Sequence, residues 1–256
     1  MPDDAAGTHL TVLGPLNAAS DSQVCDFYAY PEDLQRCWVR GNMIASLDGG
    51  ATEDGKAGGL AGPGDRAVFN LMRNAADVIL VGAATVRIEN YSGAQLTVAQ
   101  REARQRRGQA EVPPIAVVTA SAELDHKAKF FSRTEVPPLV LTCSDTVVDA
   151  RRRLGSVAEV INASGADRGR VDARTALRIL AERKLFRVLT EGGPQLLSLL
   201  IENDLLDELC LTIAPVLVGG VARRVATGAG QVHTRMRPSH LLTDDDGYLY
   251  TRYVRG

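Results

Sequence analysis

Short, unbroken apolar runs recur along this chain and constrain its fold more than any other feature. They are "DVILVG" (77–82), "IAVVT" (115–119), "PLVLT" (138–142), "AEVINA" (158–163), "RVLTE" (187–191) and "ELCLTIAPVLV" (208–218). A strand is apolar at successive positions only when both of its faces are covered, which is the condition of a parallel sheet sandwiched by helices. Helical patterns lie between several of the runs. From about Asp65, "DRAVFNLMRNAA" puts Val68, Leu71, Met72 and Ala75 at i, i+3, i+4 and i+7. "DARTALRILAERK" offers Asp172 as N-cap and Ala173, Ala176, Leu177 and Leu180 on one face. The alternation predicts an α/β fold with a mixed, mostly parallel sheet flanked by helices. In the tail, "LLTDDDGYLYTRYV" sets an Asp-Gly turn between β-prone runs, so the sheet should close with an antiparallel hairpin. "AQREARQRRGQAEV" (99–112) reads as a solvent-exposed helix or loop inserted between sheet elements. Residues 1–35 show no clear periodicity and are expected to form a mobile or loosely draped leader, with residues 36–256 as a single domain.

Composition removes several classes of function. Net charge is −2, which gives no electrostatic case for a nucleic-acid or membrane partner. No apolar run reaches the roughly 18 residues of a membrane helix. "MPDDAAGTHL" lacks the basic start of a signal peptide, so a cytoplasmic location is expected. Cys25, Cys37, Cys143 and Cys210 form no C-x-x-C pair, and His9, His126, His233 and His240 are scattered. No metal site is expected, and the cysteines read as packing thiols.

Ligands of an open α/β sheet bind beyond the carboxyl ends of its strands. Three such ends are unusual: "SLDGG" (46–50), "VGAATVRIENY" (81–91) and "TEGGPQLL" (190–197). In the second, Gly82 and two alanines precede Thr85; in the third, Gly192, Gly193 and Pro194 lead into a helix. Each can be a mere tight turn, whereas two strand–Gly–helix junctions in one sheet suit a dinucleotide's pyrophosphate. Neither is G-x-G-x-x-G, which disfavours a Rossmann dehydrogenase. Asp65 falls on the same side of its helix as the apolar stripe, either as a first-turn charge or as an acid facing a cleft. Arg73, two turns on, is either a surface arginine or part of that cleft. Glu191 puts a charge at the end of a core strand.

In combination, "NMIASLDGGAT", "GPGDRAVFNLMRNAADVILVGAATVRIENY" and "VLTEGGPQLLSLLIENDLLDELCLTIAPVLVGG" resemble the reductase domain of bacterial riboflavin biosynthesis, the C-terminal half of a bifunctional deaminase/reductase. The resemblance runs from about Trp38 to the hairpin. It implies a dihydrofolate-reductase-like fold, NADPH as cofactor and a homodimer. The zinc-deaminase signature H-x-E…P-C-x-x-C does not occur, so the chain reads as a stand-alone reductase. By this resemblance Ala45, Gly82, Thr85 and Val86 cradle the nicotinamide and phosphates, and Gly192, Gly193 and Pro194 form a second turn against the cofactor. Thr119 and Ser121 match the adenosine 2′-phosphate position. Asn42, Asp48, Arg73, Glu89 and Glu191 fall on the substrate side, Arg73 matching a phosphate contact and Glu191 a carboxylate at the nicotinamide. Glu191 and Asp65 are the candidates for holding the heterocycle or passing it a proton.

The chain also departs from the family pattern. "AGGLAGPGD" stands where a Ser-x-Trp-Ile segment is usual. After the Thr-Val turn, Glu89 and Tyr91 replace the Asp and Pro of Asp-Asn-Pro, and no arginine follows before Arg101. A lost charge-assisted bond to phosphate weakens binding by roughly 1.5–3 kcal/mol. The expected reaction is hydride transfer to the C=N bond of a 5-amino-6-(5-phosphoribosylamino)uracil-type pyrimidine. A dihydrofolate or other pterin acceptor is the alternative, and a catalytically inactive nucleotide-binding protein is the second.

Overall fold

The computed structural model describes residues 19–256. Its strands are β1 (Trp38–Ser46), β2 (Val78–Gly82), β3 (Ile115–Val118), β4 (Leu139–Thr142), β5 (Glu159–Asn162), β6 (Arg187–Thr190), β7 (Glu208–Ala214), β8 (Met236–Thr243) and β9 (Leu249–Arg255). They form one nine-stranded sheet in the order β5-β4-β3-β2-β6-β1-β7-β9-β8. From β5 to β7 all pairings are parallel, and β9 joins β7 antiparallel as one arm of the β8–β9 hairpin. The architecture is the mostly parallel, hairpin-closed sheet that the apolar runs predict.

The helices are α1 (Asp21–Phe27), α2 (Pro63–Ala75), α3 (Ala83–Ile88), α4 (Val98–Arg106), α5 (Lys129–Ser132), α6 (Val147–Leu154), α7 (Ala173–Glu182) and α8 (Pro194–Glu202). Alternate residues of the same strands feed cores on opposite sides of the sheet. Val78 and Leu80 meet Leu177 and Leu180 of α7 and Leu197 and Leu200 of α8. Ile79 and Val81 meet Val86 of α3, Phe130 of α5 and Leu154 of α6. A third cluster sets Met72 of α2 against Leu189 and Cys210.

Three expectations are corrected. The draped leader, residues 1–35, falls outside the described residues for 1–18; the remainder is ordered by α1, whose Ser20 and Gln23 form a capping box. Val24, Phe27 and the buried Tyr28 pack beside Met72, an anchoring that spaced aromatics provide without helical periodicity. The charged stretch 99–112 is not simply a solvated face, because Arg104 of α4 is fully buried. It donates to the carbonyls of Asn74 (2.8 Å), Ala76 (2.6 Å) and Ala110 (2.7 Å), and so satisfies acceptors left at the end of α2. Finally, β7 stops at Ala214, and "PVLV" leaves the sheet as a loop because Pro215 cannot donate to a ladder.

The junction between β1 and β7 is held by buried charge. Glu208 accepts from Arg40 and from Arg252, whose guanidinium groups also bond the carbonyls of Phe27, Tyr28 and Ala29. Those bonds tie the segment after α1 to the sheet.

Candidate active site

Strands β2, β6 and β1 are neighbours and parallel, so their carboxyl ends open on one edge of the sheet. A groove crosses that edge in two parts. One, of about 410 Å³, is bounded by Asn42, Asp65, Arg66, Phe69, Tyr91 and Glu191. The other, of about 650 Å³, is bounded by Gly193, Pro194 and the loop from Val218 to Arg223. Met43, Thr85, Glu89 and Glu191 border both parts, which makes them a single site with two compartments.

The floor between the compartments is the β6–α8 junction. Gly192 has φ +77°, in the left-handed region that favours glycine, and the Gly192–Gly193 peptide is cis. A Cβ on Gly193 would lie 2.6 Å from Thr85 Oγ1, and one on Gly192 would lie 3.1 Å from Met43 Sδ. Gly82 N–H donates to Gly192 O at 2.8 Å. The two glycine junctions therefore close on each other, and the absence of side chains lets Thr85 and Met43 reach the groove. Helix α8 starts at this point with Gly193 as N-cap and no side-chain cap, and Gly193 and Pro194 border the larger compartment.

Glu191 is the most heavily bonded group in the site. Arg73 grips it bidentately, Nε to Oε1 at 2.6 Å and a terminal nitrogen to Oε2 at 2.7 Å. Tyr91 donates its hydroxyl to Oε2 at 2.6 Å, and the Glu191 side chain is only 2% exposed. The Arg73 guanidinium lies 4.3 Å above the Phe69 ring. Burial opposes the charge on Arg73, but the adjacent Glu191 carboxylate outweighs it and raises the pKa. Burial, reinforced by Glu191, keeps Tyr91 well above the ordinary tyrosine range and hence a neutral donor.

Asp65, in the first turn of α2, borders the smaller compartment. Burial raises its pKa above the usual aspartate value, against the lowering effect of a hydrogen bond with Thr212 and the charge of Arg66. Glu89 borders both compartments and accepts the Ala57 N–H at 2.8 Å.

Of the residues expected at the site, Asn42, Asp65, Thr85, Glu89, Glu191, Gly193 and Pro194 line the groove. Gly82 and Gly192 lie beneath it as backbone supports. Others are placed elsewhere. Val86 points into the core below α3, and Ala45 is buried without bordering either compartment. Arg73, matched to a phosphate contact, lines neither compartment, and its guanidinium is held by Glu191. Asp48 lies outside the groove and bonds the loop after β7. Thr119 and Ser121 close the turn after β3 by accepting the Ala122 and Glu123 N–H groups, beyond the lined groove. Sequence reading missed Phe69, Arg66 and Thr212 as site residues, and noted Tyr91 only as a departure. The Tyr91–Glu191 contact joins positions a hundred residues apart, and no local pattern marks it. Among the described residues no group of His, Cys, Asp and Glu is arranged to hold a metal, and no helix is long and apolar enough to cross a membrane.

The RibD C-terminal domain family model matches residues 37–250. A 2,5-diamino-6-ribosylamino-4(3H)-pyrimidinone 5′-phosphate reductase of Archaeoglobus fulgidus is 28% identical over 186 residues, covering 72% of this chain and 83% of that protein. The riboflavin biosynthesis protein RibD of Bacillus amyloliquefaciens is 28% identical over 195 residues, and the match spans 75% of this chain but only 50% of that protein. Among solved structures, a pyrimidine reductase-like protein from Corynebacterium diphtheriae superposes with a TM-score of 0.78 at 27% identity, covering 86% of this chain and 92% of that one.

Proposed function

The chain belongs to the RibD C-terminal domain family, and from that premise we propose that it is an NADPH-dependent reductase of a riboflavin-pathway pyrimidine. The acceptor in this reading is the C=N bond of a 5-amino-6-(5-phosphoribosylamino)pyrimidine. The observation that carries it is the two-compartment groove, with glycine junctions and the α8 N-terminus on one side and the half-buried acid Asp65 on the other. The names of the matched relatives, a pyrimidinone phosphate reductase among them, support the same substrate class.

The larger compartment fits a dinucleotide. Its volume is in the range of ligand sites, its wall at Gly193 is bare backbone, and the N-terminus of α8, which has no side-chain cap, favours a phosphate. Gly193, Pro194 and Thr85 would hold NADPH there, and when bound it supplies the hydride. The protein's own residues do the rest. Glu191, held by three hydrogen bonds from Arg73 and Tyr91, is a fixed acceptor at the border of the compartments with lone-pair capacity left on its oxygens. It can orient an N–H edge of a ring and favour positive charge developing beside it. Asp65 borders the smaller compartment and burial raises its pKa, which favours it as the group to protonate nitrogen as carbon accepts hydride. Met43, Ile44 and Phe69 give the smaller compartment apolar walls that exclude water from the reacting bond. The enzyme is read as a cytoplasmic homodimer, with exposed Leu241 and Leu249 of the hairpin supporting the second copy.

One observation favours a second acceptor, a dihydropterin. With Arg73 paired to Glu191, Arg66 is, among the described residues, the only basic residue bordering the smaller compartment. A flat pteridine needs a carboxylate such as Asp65 and no ribose phosphate site. Steady-state NADPH oxidation with the aminopyrimidine phosphate and with dihydrofolate, side by side, separates the two. A kcat/KM higher for the aminopyrimidine supports the first reading, and turnover of dihydrofolate alone replaces it with the second.

A further inference from the structure

The S-L-D-G-G turn carries a carboxylate that neither compartment uses. Asp48 reaches instead to the loop after β7, accepting the Gly219 N–H at 2.6 Å and the Val218 N–H at 3.2 Å. Ser46 Oγ donates to the same carboxylate and accepts the Gly50 N–H at 2.9 Å. Two main-chain bonds flank these contacts: Leu47 N–H to Val216 O at 2.9 Å, and Ala51 N–H to Arg223 O at 2.7 Å. Gly50 sits so close to the loop that a Cβ there would lie 2.9 Å from Ala222 Cβ. The Ser46 hydroxyl and then the loop N–H groups hold the Asp48 carboxyl down to about 2, so it is an anion at any working pH.

The tethered segment is functional surface. Val218, Gly219, Val221, Ala222 and Arg223 form one wall of the larger compartment. Apart from Val218, which packs against the Ile44–Leu60 cluster, little apolar burial fixes that wall: Gly219 and Gly220 adopt φ of +66° and +63°, Leu217 is 77% exposed and Val221 is fully exposed. A loop with so little burial has low local stability, and its few tethers decide its position.

We propose that Asp48 is a positioning residue that latches the 216–223 loop to the end of β1 and so keeps the dinucleotide compartment walled. The proposal rests on the reading of that compartment as the NADPH site. Asp48 borders neither compartment, so its removal acts on cofactor affinity and not on chemistry.

The test uses Asp48→Asn, Ser46→Ala and Gly50→Ala in the full chain. Asparagine keeps one acceptor and loses the charge, the alanine at 46 removes only the supporting hydroxyl, and the added Cβ at 50 pushes the loop directly. The expected result is an NADPH KM about tenfold higher for Asp48→Asn, as for a lost charge-assisted bond. Its kcat at saturating NADPH should stay within about twofold. Trypsin should cut at Arg223–Arg224 several-fold faster in all three variants. Unchanged cleavage overturns the latch, and so does a fall in kcat with KM unchanged, which would put Asp48 in the chemistry. Faster cleavage with an unchanged KM overturns the link between loop and cofactor. If Asp48→Asn does not fold, Ser46→Ala and Gly50→Ala carry the same readings. Failure of the unmodified protein to bind NADPH would refute the cofactor reading instead, while the trypsin measurement still judges the latch.

Discussion

At the scale of single residues, the site depends on which carboxylate is free to hold a proton. Glu191 accepts three hydrogen bonds on its two oxygens, whereas Asp65 is half-buried and its desolvation raises its pKa. Asp65→Asn should lower kcat by roughly 10²–10⁴, the usual contribution of a positioned acid. The sign of the pH effect follows from the raised pKa: activity falls as pH rises through the elevated Asp65 value, and the residual rate of the asparagine variant lacks that alkaline limb. A pH–rate profile of both proteins checks this. Tyr91→Phe removes one bond to a buried charge, a loss of about 1.5–3 kcal/mol in urea unfolding. Arg73→Ala strands the Glu191 charge and should cost about 3–5 kcal/mol, and Arg73→Lys should not restore it because lysine lacks the bidentate fork. Glu191 was conspicuous in the sequence as a charge ending an apolar run. Its partners were not, since Arg73 reads equally well as a surface arginine and Tyr91 as an ordinary loop aromatic.

Among elements, the apolar runs were the most legible signal, because a strand buried on both faces leaves no room for polar residues. Signals failed where tertiary contact overrode local pattern. Arg104 lies in a stretch so charged that exposure was the natural expectation, yet its guanidinium caps the end of α2. Arg104→Met should leave those carbonyls unsatisfied, cost about 1–3 kcal/mol and lower Tm measurably in calorimetry. Helix α7 shows the opposite case, a cap readable from sequence: Asp172 accepts the Thr175 N–H at 2.6 Å. Bonds to Thr175 hold its carboxyl below the usual range, so the stability it contributes is complete above the unfolded aspartate pKa. That contribution fades as pH falls through the lower folded value. Asp172→Ala should therefore cost about 1 kcal/mol at pH 7 and less near pH 3, by denaturant melts at each pH.

Across the whole molecule, the chain order scatters the site and the sheet order gathers it. Strand β6 follows β1 by some 150 positions in sequence yet lies beside it, which brings Glu191 to Met43 and the glycine turn to Thr85. The parallel topology was legible because helices alternate with strands, but the strand order, and hence the groove, was not. In solution the homodimer reading predicts twice the 27.4 kDa chain mass by light scattering, and a monomer mass would remove it. The central claim is that this groove passes hydride from NADPH to an aminopyrimidine C=N bond. Mass spectrometry of the product formed with NADPH deuterated at the reactive C4 position tests it most directly. One deuterium on the reduced side-chain carbon of the ribosylaminopyrimidine is the result predicted; an unlabelled product, or no product from that substrate, would contradict it.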